Sequence, residues 1–287
     1  MVNTPSRFIF NTESGRIEIM TQTGAQPISS FRNPKIQLVR TLLNDRSARS
    51  KNGMFIVEGI RLAEEALSSH LIPHSVFYSS QLSARGKEIL DQYHNVGIEI
   101  VEVYADVLDR LSDTETSQGI LLVMPQMSIP LPASADLVLI IDQLRDPGNM
   151  GTILRSAAAT GVQVVFITPG SVDPFMPKVL RAGMGAHFRL CIQQSDWTQV
   201  VEYCKSTIPS PLQVLLAESG SGSDMWQTVL TQPLALVVGG EAEGPSQPAR
   251  ENSDALIHIP MPGNFESLNA GVAASILLYE VVRQRNS

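Results

Sequence analysis

The chain has 287 residues, 43% of them hydrophobic and 17% charged, a composition that excludes a disordered or fibrous protein and favours two domains over one. No apolar stretch approaches the ~18–20 residues of a membrane helix, so a soluble globular protein is expected. The balance of 21 basic against 28 acidic residues gives a net charge of −7 and excludes a general polycation, leaving only a local patch for any nucleic-acid contact.

Residues 1–31 are rich in Thr, Ser and Gln and lack the apolar core of a signal peptide, while Glu13 and Glu18 argue against an organelle transit segment. They read as a flexible N-terminal extension, with Arg16–Met20 as its one candidate strand. From Phe31 the pattern changes. Ile36–Leu43 has helical spacing, Phe55–Val57 reads as a short strand and Ile60–Leu67 as helix. Val76–Tyr78, Ile98–Val103 and the buried run Gly119–Met124 follow as strands. A first domain is therefore placed at 32–124. Between Arg32 and Arg61 it carries seven basic and two acidic residues, +5 in a chain of −7. Arg32, Lys35, Arg46, Arg49 and Lys51 are then candidates to contact RNA phosphates; the plainer alternative is a solvated helix face.

Pro125–Ala135 holds three prolines without periodicity and reads as a semi-rigid linker. Beyond it, 136–287 looks like an α/β domain with a mainly parallel sheet. Leu137–Ile141 has the continuous apolar character of a doubly covered strand. A helix over Met150–Thr160, closed by Gly161, and a strand over Val162–Ile167 complete a βαβ unit. Val179–Gly183 begins another helix. Val214–Ala217, Ala235–Val238 and Leu256–Ile259 are further strands, and Ser267–Arg285 is a long final helix.

Three loops follow the carboxyl ends of predicted strands, where open α/β sheets bind ligands. The first, DQLRDPGNMGTILR from Asp142, contains Asn149 and Arg155. Asn149 is suited either to capping the helix or to a site; Arg155 is either a surface residue or a functional one. The second, GGEAEG from Gly239, lets backbone approach a ligand closely, but Glu241 and Glu243 would repel phosphate. An ordinary tight turn with solvated glutamates is the alternative there. The third, IPMPGNFESLN from Ile259, places Glu266, Ser267 and Asn269 before a helix rich in small residues, more polar groups than a cap requires.

Other chemistries lack their residues. Cys191 and Cys204 stand thirteen apart, which offers neither a disulfide framework nor a CxxC site and reads as two buried thiols of a cytoplasmic protein. The five histidines are scattered, so no metal site is expected. Gly220 and Gly222 do not complete GxGxxG, because position 225 is Met, and no GxSxG occurs.

Taken in order, DPGNMGTILRSAAATG, VVGGEAEGPS and IHIPMPGNFESLNAGVAASILLYE resemble the three motifs of the SpoU/TrmH family of RNA ribose 2′-O-methyltransferases in the SPOUT superfamily. PKVLRAGMGAHFRL also resembles that family, while FIVEGIRLAEEAL and TETSQGILLV resemble the ribosomal-protein-like RNA-binding domain many members carry. Gly240 stands where an asparagine is common and Pro245 where an aliphatic residue is usual. The resemblance implies a C-terminal trefoil-knotted SPOUT domain, a homodimer, and S-adenosylmethionine held in the knot. It places Gly239, Gly240, Ile259, Met261 and Leu268 at the cofactor, largely through backbone groups. It places Asn149, Arg155, Glu241, Ser267 and Asn269 at the active site. A guanidinium holds its proton at pH 7, so Arg155 is expected to engage the target ribose or phosphate and assist deprotonation. Glu241 would orient Arg155 or neighbouring groups, and Ser267 and Asn269 would shape the pocket and position the nucleotide. The expected substrate is structured RNA, rRNA before tRNA; a non-catalytic RNA-binding or assembly factor is the rival reading.

Overall fold

The computed structural model describes residues 26–112, 114, 116–126, 129–208, 210–240, 244–263 and 265–287. The candidate strand Arg16–Met20 lies outside the described residues. Gln26 onward, which the sequence reading leaves in the extension, already belongs to the fold. Ile28 bridges Val103, and Ile28 and Phe31 pack on the neighbouring core.

The first half builds a small mixed sheet from α1 (Pro34–Asn44), α2 (Arg46–Asn52), β1 (Met54–Glu58), α3 (Ile60–Ser68), β2 (Ser75–Tyr78), α4 (Ala84–Asn95), β3 (Glu99–Glu102), α5 (Ala105–Leu111) and β4 (Ile120–Pro125). Strand order is β1-β4-β2-β3, with β4 antiparallel to both neighbours and β2 parallel to β3. Leu121 and Val123 of β4 meet α1 and α5 on one face, while Ile120, Leu122 and Met124 meet α3 and α4 on the other. Period-2 alternation thus fills two apolar layers from one strand.

The second half comprises β5 (Leu137–Ile141), α6 (Pro147–Thr160), β6 (Val164–Ile167), α7 (Pro177–Gly183), β7 (Cys191–Gln194), α8 (Trp197–Ser206), β8 (Gln213–Ala217), β9 (Ser223–Asp224), β10 (Leu234–Val238), α9 (Gln247–Glu251), β11 (Ala255–His258) and α10 (Ala270–Arg285). Its seven strands run β7-β6-β5-β10-β8-β11-β9, every neighbouring pair parallel. Every residue of β5 and β10 is buried, as expected of strands covered on both faces. Leu139, Leu215 and Leu236 face α6 and α10; Val138, Leu216 and Val237 face α8 and α9.

Two helix starts differ from the sequence reading. Asp146, not Asn149, caps α6 by accepting from the Asn149 amide at 2.7 Å. The last helix begins at Ala270 rather than Ser267, because Asn269 caps it by accepting from the Gly271 and Val272 amides. Gly161 closes α6 at φ 79°, as the pattern predicts.

The two halves are docked against each other. Phe55 and Val57 of β1 share a core with Leu180 and Phe188 from the second half. The decisive contact is ionic: Arg49 of α2 donates to Asp173 at 2.6 and 2.7 Å and to the Leu42 carbonyl at 2.7 Å, with both charged side chains at most 7% exposed. Arg49 is therefore no phosphate-contacting residue; it is consumed by the joint between the halves. Its neighbour Arg46 also reaches across, donating to the Ser171 carbonyl and to Gln194, although the residue as a whole is exposed. Lys35 pairs with Glu99 at the surface, while Arg32 and Lys51 are exposed without an ion pair among the described residues. Two of the linker prolines are held: Pro125 ends β4, and Tyr203 donates to the Pro132 carbonyl at 2.8 Å.

Candidate active site

Because β5, β10, β8 and β11 are adjacent and parallel, the loops leaving their carboxyl ends meet along one edge. There they enclose a cavity of about 510 Å³, within the range of small-molecule sites. Asn149 enters from the first turn of α6, Gly239 and Gly240 from the loop after β10, and Ile259, Met261, Ser267, Leu268 and Asn269 from the segment between β11 and α10. The structure thus gathers eight of the ten predicted catalytic and cofactor residues. Glu241 lies outside the described residues. Arg155 does not line the cavity: six residues beyond Asn149, it is roughly 9 Å further along α6, on a different face, and exposed.

Local packing explains the small residues. A Cβ on Gly240 would stand 2.9 Å from the Gln143 carbonyl oxygen, and one on Gly239 would stand 3.0 Å from the Pro245 backbone. The two family departures, Gly240 and Pro245, therefore each fill a tight contact in the same loop. A Cβ on Gly151 would stand 2.3 Å from the Ala182 Cβ and 2.9 Å from the Val179 carbonyl oxygen, so α6 lies directly against α7. On its other side, α6 meets α10 through a hydroxyl–hydroxyl contact of 2.7 Å between Ser156 and Ser275.

Sequence reasoning missed several participants. Glu218 and Ser219, just past β8, and His258 at the end of β11 also line the cavity. Glu218 is held by both terminal nitrogens of Arg250, at 2.6 and 2.7 Å, and this contact raises the arginine's already high pKa. The His258 Nδ1 is buried and has no hydrogen-bond partner among the described residues. Asp142, buried at the end of β5, ties three loops together by accepting from the Thr168 hydroxyl at 2.9 Å, the Trp197 indole at 3.0 Å and the Ser246 amide at 2.9 Å. The signal for Glu218 and Asp142 was available: each polar residue directly follows a buried strand.

Among the described residues, no group of three or more His, Cys, Asp or Glu is placed to hold a metal ion. Both cysteines are buried and unpaired, and burial pushes the Cys204 thiol up to about 12.

A crevice at the carboxyl edge of a parallel sheet, walled by glycines, apolar side chains and a few polar ones, with no Lys or Arg lining it among the described residues, defines an α/β protein that binds a small organic cofactor. The chain belongs to the SpoU rRNA Methylase family, whose model matches residues 136–279; an MRM3-like substrate binding domain matches 33–122. It is 33% identical to the human rRNA methyltransferase 3, mitochondrial, over 87% of this chain and 72% of that protein. It is 30% identical to the Bacillus subtilis 23S rRNA (guanosine(2553)-2′-O)-methyltransferase RlmP, over 88% of this chain and 98% of that one. Among solved structures, the SpoU methyltransferase AviRb from Streptomyces viridochromogenes, in complex with the cofactor AdoMet, superposes with a TM-score of 0.81 at 29% identity, covering 89% of this chain and 99% of that one.

The residues present fit that cofactor. Val238, Ile257 and Leu277 offer an apolar wall for a flat base, the glycines leave backbone groups within reach, and the orphaned His258 Nδ1 awaits a polar partner. A cationic sulfonium also suits a cavity whose single charged lining residue among the described ones is Glu218.

Proposed function

We propose that this protein transfers a methyl group from S-adenosylmethionine to a ribose 2′-hydroxyl in ribosomal RNA. The observation that carries the reading is the convergence of Asn149, Ser267 and Asn269 with Gly239, Ile259 and Leu268 around one cavity, although these residues span 120 positions of the sequence. When bound, S-adenosylmethionine supplies an electrophilic methyl group on sulfur. The chain must then hold a ribose oxygen in line with that carbon and ease the loss of its proton.

Asn149 and Ser267, which line the cavity, carry neutral groups able to hydrogen-bond the ribose. Asn269 uses its side-chain oxygen on two backbone amides, so its contribution is to fix the start of α10 and hence the position of Ser267 and Leu268. Arg155 acts on the RNA rather than on the cofactor, which agrees with its place outside the cavity. Glu241 is assigned to orienting Arg155.

The same reading divides the chain into an N-terminal extension ahead of Gln26, an RNA-binding domain from there to 124, a linker at 125–135 and a catalytic domain at 136–287. The family matches at 33–122 and 136–279 support the division into two domains. It includes the trefoil knot, a cytoplasmic location in keeping with two unpaired thiols, and a homodimer. Exposed Phe265, in the segment before α10, and Val272 and Tyr279, along its open side, support the homodimer as an apolar face for a second copy. No helix among the described residues is long and apolar enough to cross a membrane.

The test is methyl transfer from labelled S-adenosylmethionine to unmodified rRNA, followed by mapping of 2′-O-methylated positions, together with calorimetry of cofactor binding. Methylation of a single ribose with cofactor binding supports the reading. No heat of binding at millimolar cofactor would establish the non-catalytic factor instead.

A further inference from the structure

A second cavity, of about 560 Å³, opens between the two halves, away from the cofactor cleft. Arg40 and Asn44 of α1, Arg110 and Ser112 at the end of α5, and Lys178 of α7 surround it, with Phe31 at its edge. We propose that this cavity binds a phosphate-bearing nucleotide of the RNA strand whose ribose is methylated.

Three observations converge on that ligand. Three cations and no acidic side chain line the cavity among the described residues, in a chain of net charge −7. Arg40, Arg110 and Lys178 are all exposed and none makes an ion pair with a described residue, whereas Arg49, Arg85, Arg181, Arg189, Arg250, Arg283 and Arg285 all do. Unpaired cations around a concavity raise its potential for an anion. The Arg110 guanidinium lies over the Phe31 ring, 5.5 Å from its centroid, presenting a planar cation stacked on an aromatic ring beside the phosphate-binding groups. The side-chain amide of Asn44, one hydrogen of which serves the Arg40 carbonyl, supplies a neutral donor. A base stacked at the Phe31–Arg110 edge with its phosphate among the three cations uses every one of these groups.

Placement connects this cavity with the cleft. Gly151, two residues after Asn149, touches Val179, which directly follows Lys178. The two cavities thus lie on either side of the α6–α7 contact. An RNA strand held by phosphate in the first can lay a nearby ribose across the mouth of the second. The ionic joint at Arg49 and Asp173 fixes the spacing, because α1 and α7 belong to different halves.

The proposal rests on the RNA-substrate reading above, and the test separates the two. Unmodified large-subunit rRNA, transcribed in vitro and fluorescently labelled, is titrated with the full chain at several salt concentrations. Arg40→Ala/Lys178→Ala is expected to bind roughly tenfold more weakly, with its salt slope reduced by about 1.5 for two lost phosphate contacts. Its S-adenosylmethionine affinity should stay unchanged, which also reports that the variant is folded. Arg40→Glu/Lys178→Glu should bind weaker still. Lys87→Glu/Lys205→Glu makes the same charge change on exposed lysines elsewhere and should leave RNA affinity within about twofold. Guanosine 5′-monophosphate should compete with RNA for the unaltered protein and not for the double alanine variant. RNA affinity and salt slope unchanged in the cavity variants overturn the proposal, as does a loss confined to free guanosine 5′-monophosphate. Equal losses in the control pair reduce it to general charge and overturn it too. Failure of the unaltered chain to bind rRNA overturns the substrate reading itself.

Discussion

Arg49 offers a sharp separation between two roles that the sequence leaves open. If it contacts RNA, replacing it weakens RNA binding and spares the fold. If it holds the joint, the reverse is expected. The geometry favours the joint: its Nε and Nη2 both reach one carboxylate oxygen of Asp173, and its Nη1 donates to the Leu42 and Leu43 carbonyls. Arg49→Ala leaves the Asp173 carboxylate buried without its cation and two carbonyls short of a donor. Breaking a buried pair from one side costs about 3–5 kcal/mol. At ~2–4 °C per kcal/mol for a unit of 150–250 residues, the midpoint of thermal unfolding should fall by roughly 6–20 °C.

Arg49→Lys should recover little, because one ammonium cannot reproduce a planar fork that serves a carboxylate and two carbonyls at once. Asp173→Asn keeps an acceptor for the Phe175 amide, 3.0 Å from Oδ1, so its loss isolates the ionic part. A double-mutant cycle between Arg49 and Asp173 should show strong coupling, since the two touch. The assay is thermal unfolding by circular dichroism beside the salt dependence of rRNA binding, measured below each variant's midpoint. A midpoint within about 2 °C of the unaltered protein, with a salt slope reduced by about 0.7–0.9, would refute the structural role and restore Arg49 to the RNA surface.

Arg155→Ala should abolish methyl transfer while leaving S-adenosylmethionine affinity nearly intact, because Arg155 lies outside the cavity; substantial turnover would remove it from the chemistry. Gly240→Ala places a methyl group 2.9 Å from the Gln143 carbonyl oxygen, and the backbone shift it forces should weaken cofactor binding by roughly tenfold, or about 1.4 kcal/mol, in a calorimetric titration. His187 is fully buried, and burial pulls its pKa down from 6.5 to about 4. The native state therefore refuses a proton that the unfolded chain accepts below about pH 6.5. Stability should be complete above that pH and fall by about 3 kcal/mol as pH drops through 4. Denaturant unfolding of His187→Phe should lose that part of the acid dependence, at a lower starting stability because the Pro174 carbonyl loses its contact with the ring.

The sheet was legible where burial leaves no choice. β5 and β10 are unbroken apolar runs because both of their faces are covered, and α6 announces itself through a Pro-Gly turn and a closing glycine. Elements with one thin apolar stripe were passed over. In α4 just Ile89, Leu90 and Tyr93 among the large apolar residues are buried, and β7 is an edge strand ending in two glutamines. For α8 the signal was present and missed, since Asp196 and Gln199 form a reciprocal capping box. The site's residues were legible within each loop, but their meeting was not. That depends on β10 inserting between β5 and β8, a strand order that no local pattern encodes. Arg49 was misplaced for a related reason: charge counting treats a helix as uniformly exposed, yet α2 turns this one guanidinium inward toward a partner 124 positions away.

The placement of Asp142 shows how the cleft keeps its shape without a rigid cage of side chains. Glycines at 239 and 240 expose backbone to a ligand, but a residue without a Cβ does little to restrain its own backbone. The restraint is supplied at the loop's far end, where the Ser246 amide donates to Asp142 and the Ser246 hydroxyl accepts from the Ala249 amide to start α9. The same carboxylate holds Thr168 and Trp197, so the loops after β5, β6 and β10 share one anchor. Asp142→Asn keeps one acceptor oxygen and replaces the other with a donor, leaving at least one of three donors unmet. It should therefore loosen the glycine loop before it unfolds the sheet. S-adenosylmethionine affinity should drop by about tenfold while the midpoint of unfolding moves by only a few degrees, in line with about 1–3 kcal/mol for an unsatisfied buried group. Cofactor binding that stays unchanged while stability falls would mean the cleft is shaped by strand packing alone.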